Sequence, residues 1–298
     1  MNGLTNGSSV PLGRTQIDRT NPIERTVGPP TIVLTGATSG IGLAAARLLA
    51  AQVGTLILHG PEPESAVRPI LDSLLELVND AKDNEERQLL YFSANYKDPT
   101  SLLQLAKRIR DSAPTVDVLI NNAGIPGPNV RQLGPWDCER AFGINYLAGT
   151  LLTELLLPSM ATDGRIINVA SATQESAALN LNDLAFTTHT YSPVAAYAQS
   201  KLAIVTHSAR LARSVPQCVF SVHPGVISTG LLHAMFGVGG QTPERGGSNL
   251  VAAVSTAAPS GSYLYERDPG ITNPVALDPA VQASLQRTTE RLLGMTIH

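Results

Sequence analysis

Thr31-Ile32-Val33-Leu34-Thr35-Gly36-Ala37-Thr38-Ser39-Gly40-Ile41-Gly42 is the stretch whose reading decides the fold. Its first four residues are β-branched or apolar without alternation, the pattern of a strand covered on both faces of a parallel sheet. Glycines follow at once, and a helical pattern then runs from Leu43 to Gln52. Glycines where a strand turns into a helix suit a dinucleotide: Gly36 for the tight turn, Gly40 for approach of the backbone to a pyrophosphate, Gly42 for close helix–sheet packing. Free N–H groups and the helix dipole favour the anion, which makes Thr38, Ser39 and Ile41 candidate contacts beside the glycines. A plain strand-to-helix turn would use the same residues.

Outward from this turn, strands and helices alternate. Leu56-Ile57-Leu58, Leu89 to Phe92, Val116 to Ile120, Arg165 to Val169, Val219 to Val222 and Ser262 to Tyr265 read as six further strands. Helical patterns around Leu74, Leu102, Leu151 and Tyr197, after Pro243 and around Leu285 separate or follow them. That order predicts an α/β fold: one Rossmann-type doubly wound domain over 30–298, with a seven-stranded, mostly parallel sheet, right-handed crossovers and helices on both faces. Residues 1–29, rich in Asn, Gly, Thr, Pro and Arg, read as a flexible tail.

Composition narrows the class. The chain has 298 residues, 43% of them hydrophobic, which suffices for one large core. A net charge of −3 with 15% charged residues offers no basic field for nucleic acid and no polybasic patch for a membrane, so the expected partner is a small molecule. The longest apolar stretches, such as Leu147 to Pro158, fall short of the roughly 20 residues of a membrane helix. Cys138 and Cys218 lack Cys-x-x-Cys spacing, which argues against a metal site or a disulfide and fits a reducing cytoplasm.

Open α/β sheets keep ligands at the carboxyl ends of their strands. After the second strand stand His59-Gly60-Pro61-Glu62, where an acid would take ribose hydroxyls and an arginine a 2′-phosphate. Glu62 can point toward NAD and Arg68 toward a phosphate, or both are solvated charges. Asn95, beside Tyr96 after the third strand, is a candidate for the adenine edge. After the fourth come Asn121-Asn122-Ala123-Gly124, whose amides either tie strands together or touch cofactor. Asn145, inside an apolar helix, must bond a carbonyl or hold a water. Ser171 follows the fifth strand. His189, in the loop beyond it, is read as solvent-facing. After the sixth strand Pro224 and Gly225 turn the chain, leaving the Ile227 backbone and Thr229 hydroxyl to grip a carboxamide. Leu231 to Gly240 is read as a cover for an apolar substrate.

Tyr197-Ala198-Gln199-Ser200-Lys201 places a phenol and an ammonium four residues apart, on one face of a helix, where the ammonium favours the phenolate. Such a pair alone is a weak signal. Four segments in compatible order are stronger: Thr35 to Gly42, Asn121 to Gly124, Ser171 before Tyr197-x-x-x-Lys201, and Pro224-Gly225. On them the chain resembles the short-chain dehydrogenase/reductase family from Thr31 to Gly294. The stretch from Asp183 through Tyr197 to Ala203, with Ser221-Val-His-Pro-Gly225, looks like the branch that holds retinol dehydrogenases and the WW-domain oxidoreductase.

The resemblance implies hydride transfer between a nicotinamide and a carbonyl or alcohol on a lipophilic or natural-product-like molecule. Tyr197 would move the proton, Ser171 hydrogen-bond the reacting oxygen, Lys201 lower the tyrosine pKa and bind ribose, and Asn145 hold a water linking Lys201 to solvent. It implies NADP(H), with NAD(H) still open, since Pro61 stands where that branch usually has an arginine and Asn95 where an aspartate is usual. It also implies a homodimer or homotetramer through the Leu151 and Tyr197 helices, although their outer faces could be covered within one subunit. The competing reading is a cofactor-binding protein that serves isomerisation, cyclisation or sensing.

Overall fold

The computed structural model describes residues 29–80, 87–237 and 239–298; the tail expected over 1–29 lies outside them except for Pro29. In chain order the first half comprises β1 (Thr31–Thr35), α1 (Gly40–Leu49), β2 (Thr55–Gly60), α2 (Glu64–Asn79), β3 (Gln88–Ser93), α3 (Pro99–Ser112) and β4 (Val116–Asn121). Next, α4 (Arg140–Phe142) passes through a π-helical turn, Gly143–Leu147, into α5 (Ala148–Leu156), followed by β5 (Met160–Val169), α6 (Pro193–Leu211) and β6 (Cys218–His223). The remainder holds α7 (Gly230–Phe236), α8 (Pro243–Ala252), β7 (Tyr263–Tyr265), β8 (Asp268–Pro269), α9 (Pro274–Leu277) and α10 (Pro279–Leu293).

The strands form one sheet in the order β3-β2-β1-β4-β5-β6-β7-β8, parallel except for the short β8, which pairs antiparallel with β7 and makes eight strands rather than the expected seven. Chain progression reverses between β1 and β4, so a crevice opens beyond their carboxyl ends. Period-two alternation decides which core each side chain enters. Ile32, Leu34, Leu56 and Leu58 pack with Ala45 and Leu49 of α1 and Leu71 and Leu74 of α2. Val33, Ile57 and Leu119 point the other way, onto Leu102 and Leu105 of α3 and Leu152 of α5. Both sheet faces are therefore dry, which is why these strands are continuous apolar runs.

Two helices differ from expectation in extent and cover. The helical run Arg140–Ser159 has 20 residues, long and apolar enough by length and composition to cross a membrane, and 83% of its most apolar window is buried inside the protein. Helix α6 is buried continuously from Ala196 to Leu211. Part of its cover comes from the C-terminal segment: Tyr146 and Leu202 pack with Leu285 of α10, the Tyr146 and Thr289 hydroxyls hydrogen-bond at 2.7 Å, and His298 donates its N–H to Glu154 at 3.1 Å. The faces read as subunit contacts are thus lined, on this side, by the chain's own α9 and α10.

Candidate active site

Main-chain geometry builds the glycine turn. Gly36 has φ +63°, and a Cβ there would stand 2.8 Å from Ala123 Cα. A Cβ on Gly42 would meet the Gly36 carbonyl at 2.0 Å, so helix and turn close only around glycine. Thr35 Oγ1 donates to the Ile120 carbonyl (3.3 Å) and accepts from the N–H groups of Asn122 and Ala123 (3.0 Å each). Asn122 Nδ2 donates to the carbonyls of Thr35 (2.9 Å) and Gly36 (3.0 Å), while Asn121 Nδ2 donates to Asn168 Oδ1 of β5 and to Thr153 Oγ1, both at 2.9 Å. Both amides tie strands together, and Asn122 also faces the cavity. His59 Nε2–H donates to the Ala94 carbonyl (3.0 Å), leaving Nδ1 to accept the Gly36 N–H (3.4 Å). Burial pushes this imidazole down to about 4, which keeps it neutral for both bonds.

A cavity of about 1210 Å³ runs from this turn across the carboxyl ends of the strands, above the roughly 300–1,000 Å³ of ordinary ligand pockets. Gly36, Thr38, Ser39, Gly40, Ile41, Gly42, His59, Asn95, Tyr96, Asn122, Ala123, Gly124, Pro224, Gly225, Ile227 and Thr229 all line it. Gly60 does not. At the start of α1, Ser39 makes no side-chain cap and the first turn carries no acid, so its N–H groups remain available to an anion. That uncapped turn, the glycine cradle and the cavity's size fit a nicotinamide dinucleotide. Two polar residues are partly committed: Asn95 Oδ1 accepts the Lys97 N–H (3.0 Å), and Thr229 Oγ1 accepts from Leu232 N–H (3.3 Å), capping α7 rather than standing free.

At the other end Ser171, Tyr197 and Lys201 converge on the same cavity. Ser171 follows β5, where its Oγ accepts the Thr173 N–H (3.3 Å); Tyr197 and Lys201 lie one turn apart on α6. All three are buried. The Lys201 ammonium donates to the Val169 carbonyl (2.8 Å) and sits 5.4 Å from the centre of the Tyr197 ring. The expected acidified phenol is not found in the chain alone. Burial pushes Tyr197 up to about 12, against a smaller lowering by its hydrogen bond with Ser171, and pushes Lys201 down to about 7. Desolvation disfavours both charged forms.

Asn145 stands behind this wall, in the π-helical turn. Its Oδ1 accepts the Ile125 N–H (2.8 Å), and its Nδ2 donates to the Ile125 carbonyl (3.1 Å) and to Ser200 Oγ (3.0 Å). It therefore clamps the loop after β4 to α6, bonding a carbonyl as one of its two expected alternatives required. A Cβ on Gly124 would lie 3.2 Å from Asn145 Oδ1 and 3.7 Å from Lys201 Nζ, so Gly124 keeps open the space between the two.

Other residues lie elsewhere. His189 is outside the cavity, its Nδ1 2.9 Å from Asp183, whose carboxyl is held well below the usual range by the His189 ring and by Thr187 and Thr188. Arg68 pairs with Glu64 on the exposed face of α2 and does not reach the cavity, whereas Glu62 lines it. The sequence reading missed Ile125, Ala170 and His223, all just past or at a strand end where the carboxyl-edge rule could have found them, and Arg140 and Ile144, which enter from a helix with no local signal. Ile125, Ile144, Val226, Leu231 and Leu232 add apolar side chains to the cavity lining.

Residues 30–236 match the family described as short chain dehydrogenase. Human retinol dehydrogenase 13 is 31% identical over 92% of this chain and 87% of its own length. DnrU of Streptomyces sp. (strain C5), assigned as a daunorubicin C-13 ketoreductase, is 29% identical over 89% of this chain and 93% of its own. A crystal structure of an uncharacterised protein from Mycobacterium paratuberculosis superimposes with TM-score 0.72 at 27% identity, covering 91% of this chain and 96% of that one.

Proposed function

The chain belongs to the short-chain dehydrogenase family, and from that premise we propose that it is a nicotinamide-dependent oxidoreductase interconverting a carbonyl and an alcohol on a lipophilic small molecule. One observation carries this reading: the uncapped glycine turn and the Ser171, Tyr197, Lys201 group open into the same cavity, whose lining includes several apolar side chains. Relatives named for retinol and for the C-13 ketone of daunorubicin support the substrate class.

When bound, the nicotinamide would supply hydride to a carbonyl carbon or accept it from an alcohol. Tyr197, protonated far above neutral pH, holds the proton that a reduced oxygen requires. Ser171 donates a hydrogen bond to the same oxygen as negative charge develops on it. Lys201, held by the Val169 carbonyl, would bind the nicotinamide ribose and, when charged, stabilises phenolate in the reverse direction. Asn145 keeps α6 and the loop after β4 in register, so the hydroxyls stay aimed.

Absorbance at 340 nm, with a panel of long-chain and polycyclic ketones, aldehydes and alcohols, tests the reading. Dinucleotide-dependent turnover of apolar members is expected. Binding of cofactor with no oxidation or reduction of any member would refute redox chemistry.

A further inference from the structure

One histidine on the wall of the cavity has no hydrogen-bond partner in the chain. His223 closes β6, is 6% exposed and lines the cavity. Along β6, Phe220 and Val222 enter the core beside α1, and Val219 enters the core on the opposite face. Alternation therefore sends His223 to that opposite face, the one that carries Tyr197 and Lys201 on α6. Among the described residues nothing hydrogen-bonds either ring nitrogen, and Nε2 is buried. The imidazole meets Tyr265 edge-on, with ring centres 4.8 Å apart and planes at 66°. Glu266, the acid whose charge acts on the ring, is turned to Arg245 (3.1 Å) and to Asn249 Nδ2 (3.2 Å). Burial pushes the ring down to about 4, so at neutral pH it is uncharged and offers one donor and one acceptor.

A buried polar group without a partner is costly, and a native fold keeps one where a ligand, a water or an ion completes it. Position favours the substrate. The parallel register pairs Val169 with Val222, and the Ala170 N–H donates to the Val222 carbonyl at 2.8 Å, which sets His223 beside Ala170, the residue before Ser171. Neighbouring strands lie about 4.8 Å apart, so the imidazole stands one strand beyond Ser171, on the side away from the glycine turn of β1. A second unpartnered group flanks Ser171 from its own segment: Thr173 lines the cavity, and its Oγ1 is buried with no hydrogen bond. A carbonyl carbon held against Ser171 and Tyr197 would therefore keep its neighbouring carbons within reach of His223. We propose that His223 binds a second oxygen of the substrate, a hydroxyl one or two carbons from the reacting carbonyl, and so selects hydroxy ketones over plain ketones. This rests on the oxidoreductase reading above and narrows its substrate class.

The test is a ratio of kcat/KM values, measured on the full chain at 340 nm with saturating cofactor. The substrates are the plain ketone turned over fastest and its two analogues carrying a hydroxyl on the first or the second carbon from the carbonyl. In the unaltered protein one analogue should exceed the parent by about tenfold or more, the discrimination of one buried hydrogen bond that the parent leaves unmade. His223→Phe keeps a ring against Tyr265 and removes both nitrogens, so it should bring that ratio to within about threefold of one. His223→Gln restores a donor and an acceptor and should recover part of the preference. Cofactor affinity, read by nicotinamide fluorescence, should be the same in all three proteins, and melting curves report whether each is folded. Absence of preference for either analogue in the unaltered protein, a ratio that survives in His223→Phe, or a cofactor affinity that falls with the ratio would each overturn the assignment while leaving the oxidoreductase reading intact. Binding of cofactor with no turnover of any ketone or alcohol would remove that reading, and this inference with it.

Discussion

The two ends of one cavity are built on opposite principles. At the glycine turn, buried polar groups are matched: Thr35, Asn122 and His59 distribute their donors and acceptors among main-chain partners, and His59 is neutral. At the Tyr197 end, Lys201 is bonded to the Val169 carbonyl and Tyr197 to Ser171, yet burial still outweighs these bonds. Desolvation pushes Lys201 down to about 7 and Tyr197 up to about 12. The first end gives position at low cost, and the second stores a destabilisation that only a reacting ligand turns to use, as expected where catalytic groups need altered proton affinity.

This difference can be broken from either side. Ser171→Ala should lose about 10²–10³ in kcat, the usual result of removing one donor to a developing oxyanion. Steady-state kinetics at saturating cofactor would show it, with the melting temperature nearly unchanged. Lys201→Met should lower kcat by about tenfold or more and yet raise the melting temperature by a few degrees, because it removes a desolvated amine. The sign follows from linkage. Lys201 titrates near 7 folded but near 10.5 unfolded, so in between the unfolded chain binds more protons, and stability rises with pH across that window. Urea midpoints between pH 7 and 9.5 should climb in the unaltered protein and flatten in Lys201→Met. A lower melting temperature in the variant would contradict the dominance of burial.

Asn122→Leu attacks the matched end and should cost about 2–3 kcal/mol by leaving the Thr35 and Gly36 carbonyls without this donor, read as a lower urea midpoint with unchanged slope. A smaller, distributed effect concerns acid. Burial lowers His59 and His223 to about 4 and His207 to about 3, so all three are neutral in the fold. Their contribution is complete above the unfolded value of about 6.5 and is lost as pH falls from there toward 4. Stability that stays flat over that interval would exclude these buried neutral rings.

What the sequence made legible was local. The glycine turn showed itself because a strand pattern broke into glycines and resumed as a helix, and Ser171, Tyr197 and Lys201 because strand-end and one-turn spacings bring them to a common edge. The unalternating apolar run of β1 also marked a strand covered on both faces. What escaped needs three dimensions. No short-range pattern says that the Glu62 carboxylate will occupy the space beside Gly60. Likewise, no spacing rule reveals that burial dominates at Tyr197 and Lys201. The two-residue β8 lacks a periodicity to detect, and β5 begins five residues before its apolar run because Met160 pairs with Val116 across an irregular register. Arg140 and Ile144 reach the cavity through the packing of α4 and the π-helical turn.

Tyr197→Phe offers the most direct test of the central claim, that the phenol and the cofactor turn serve one reaction in one cavity. Assayed at 340 nm with the carbonyl compound turned over fastest, and titrated in parallel by nicotinamide fluorescence, the variant should keep its cofactor affinity and lose about 10²–10⁴ in kcat. Turnover within a few-fold of the unaltered protein, with cofactor still bound, would contradict it.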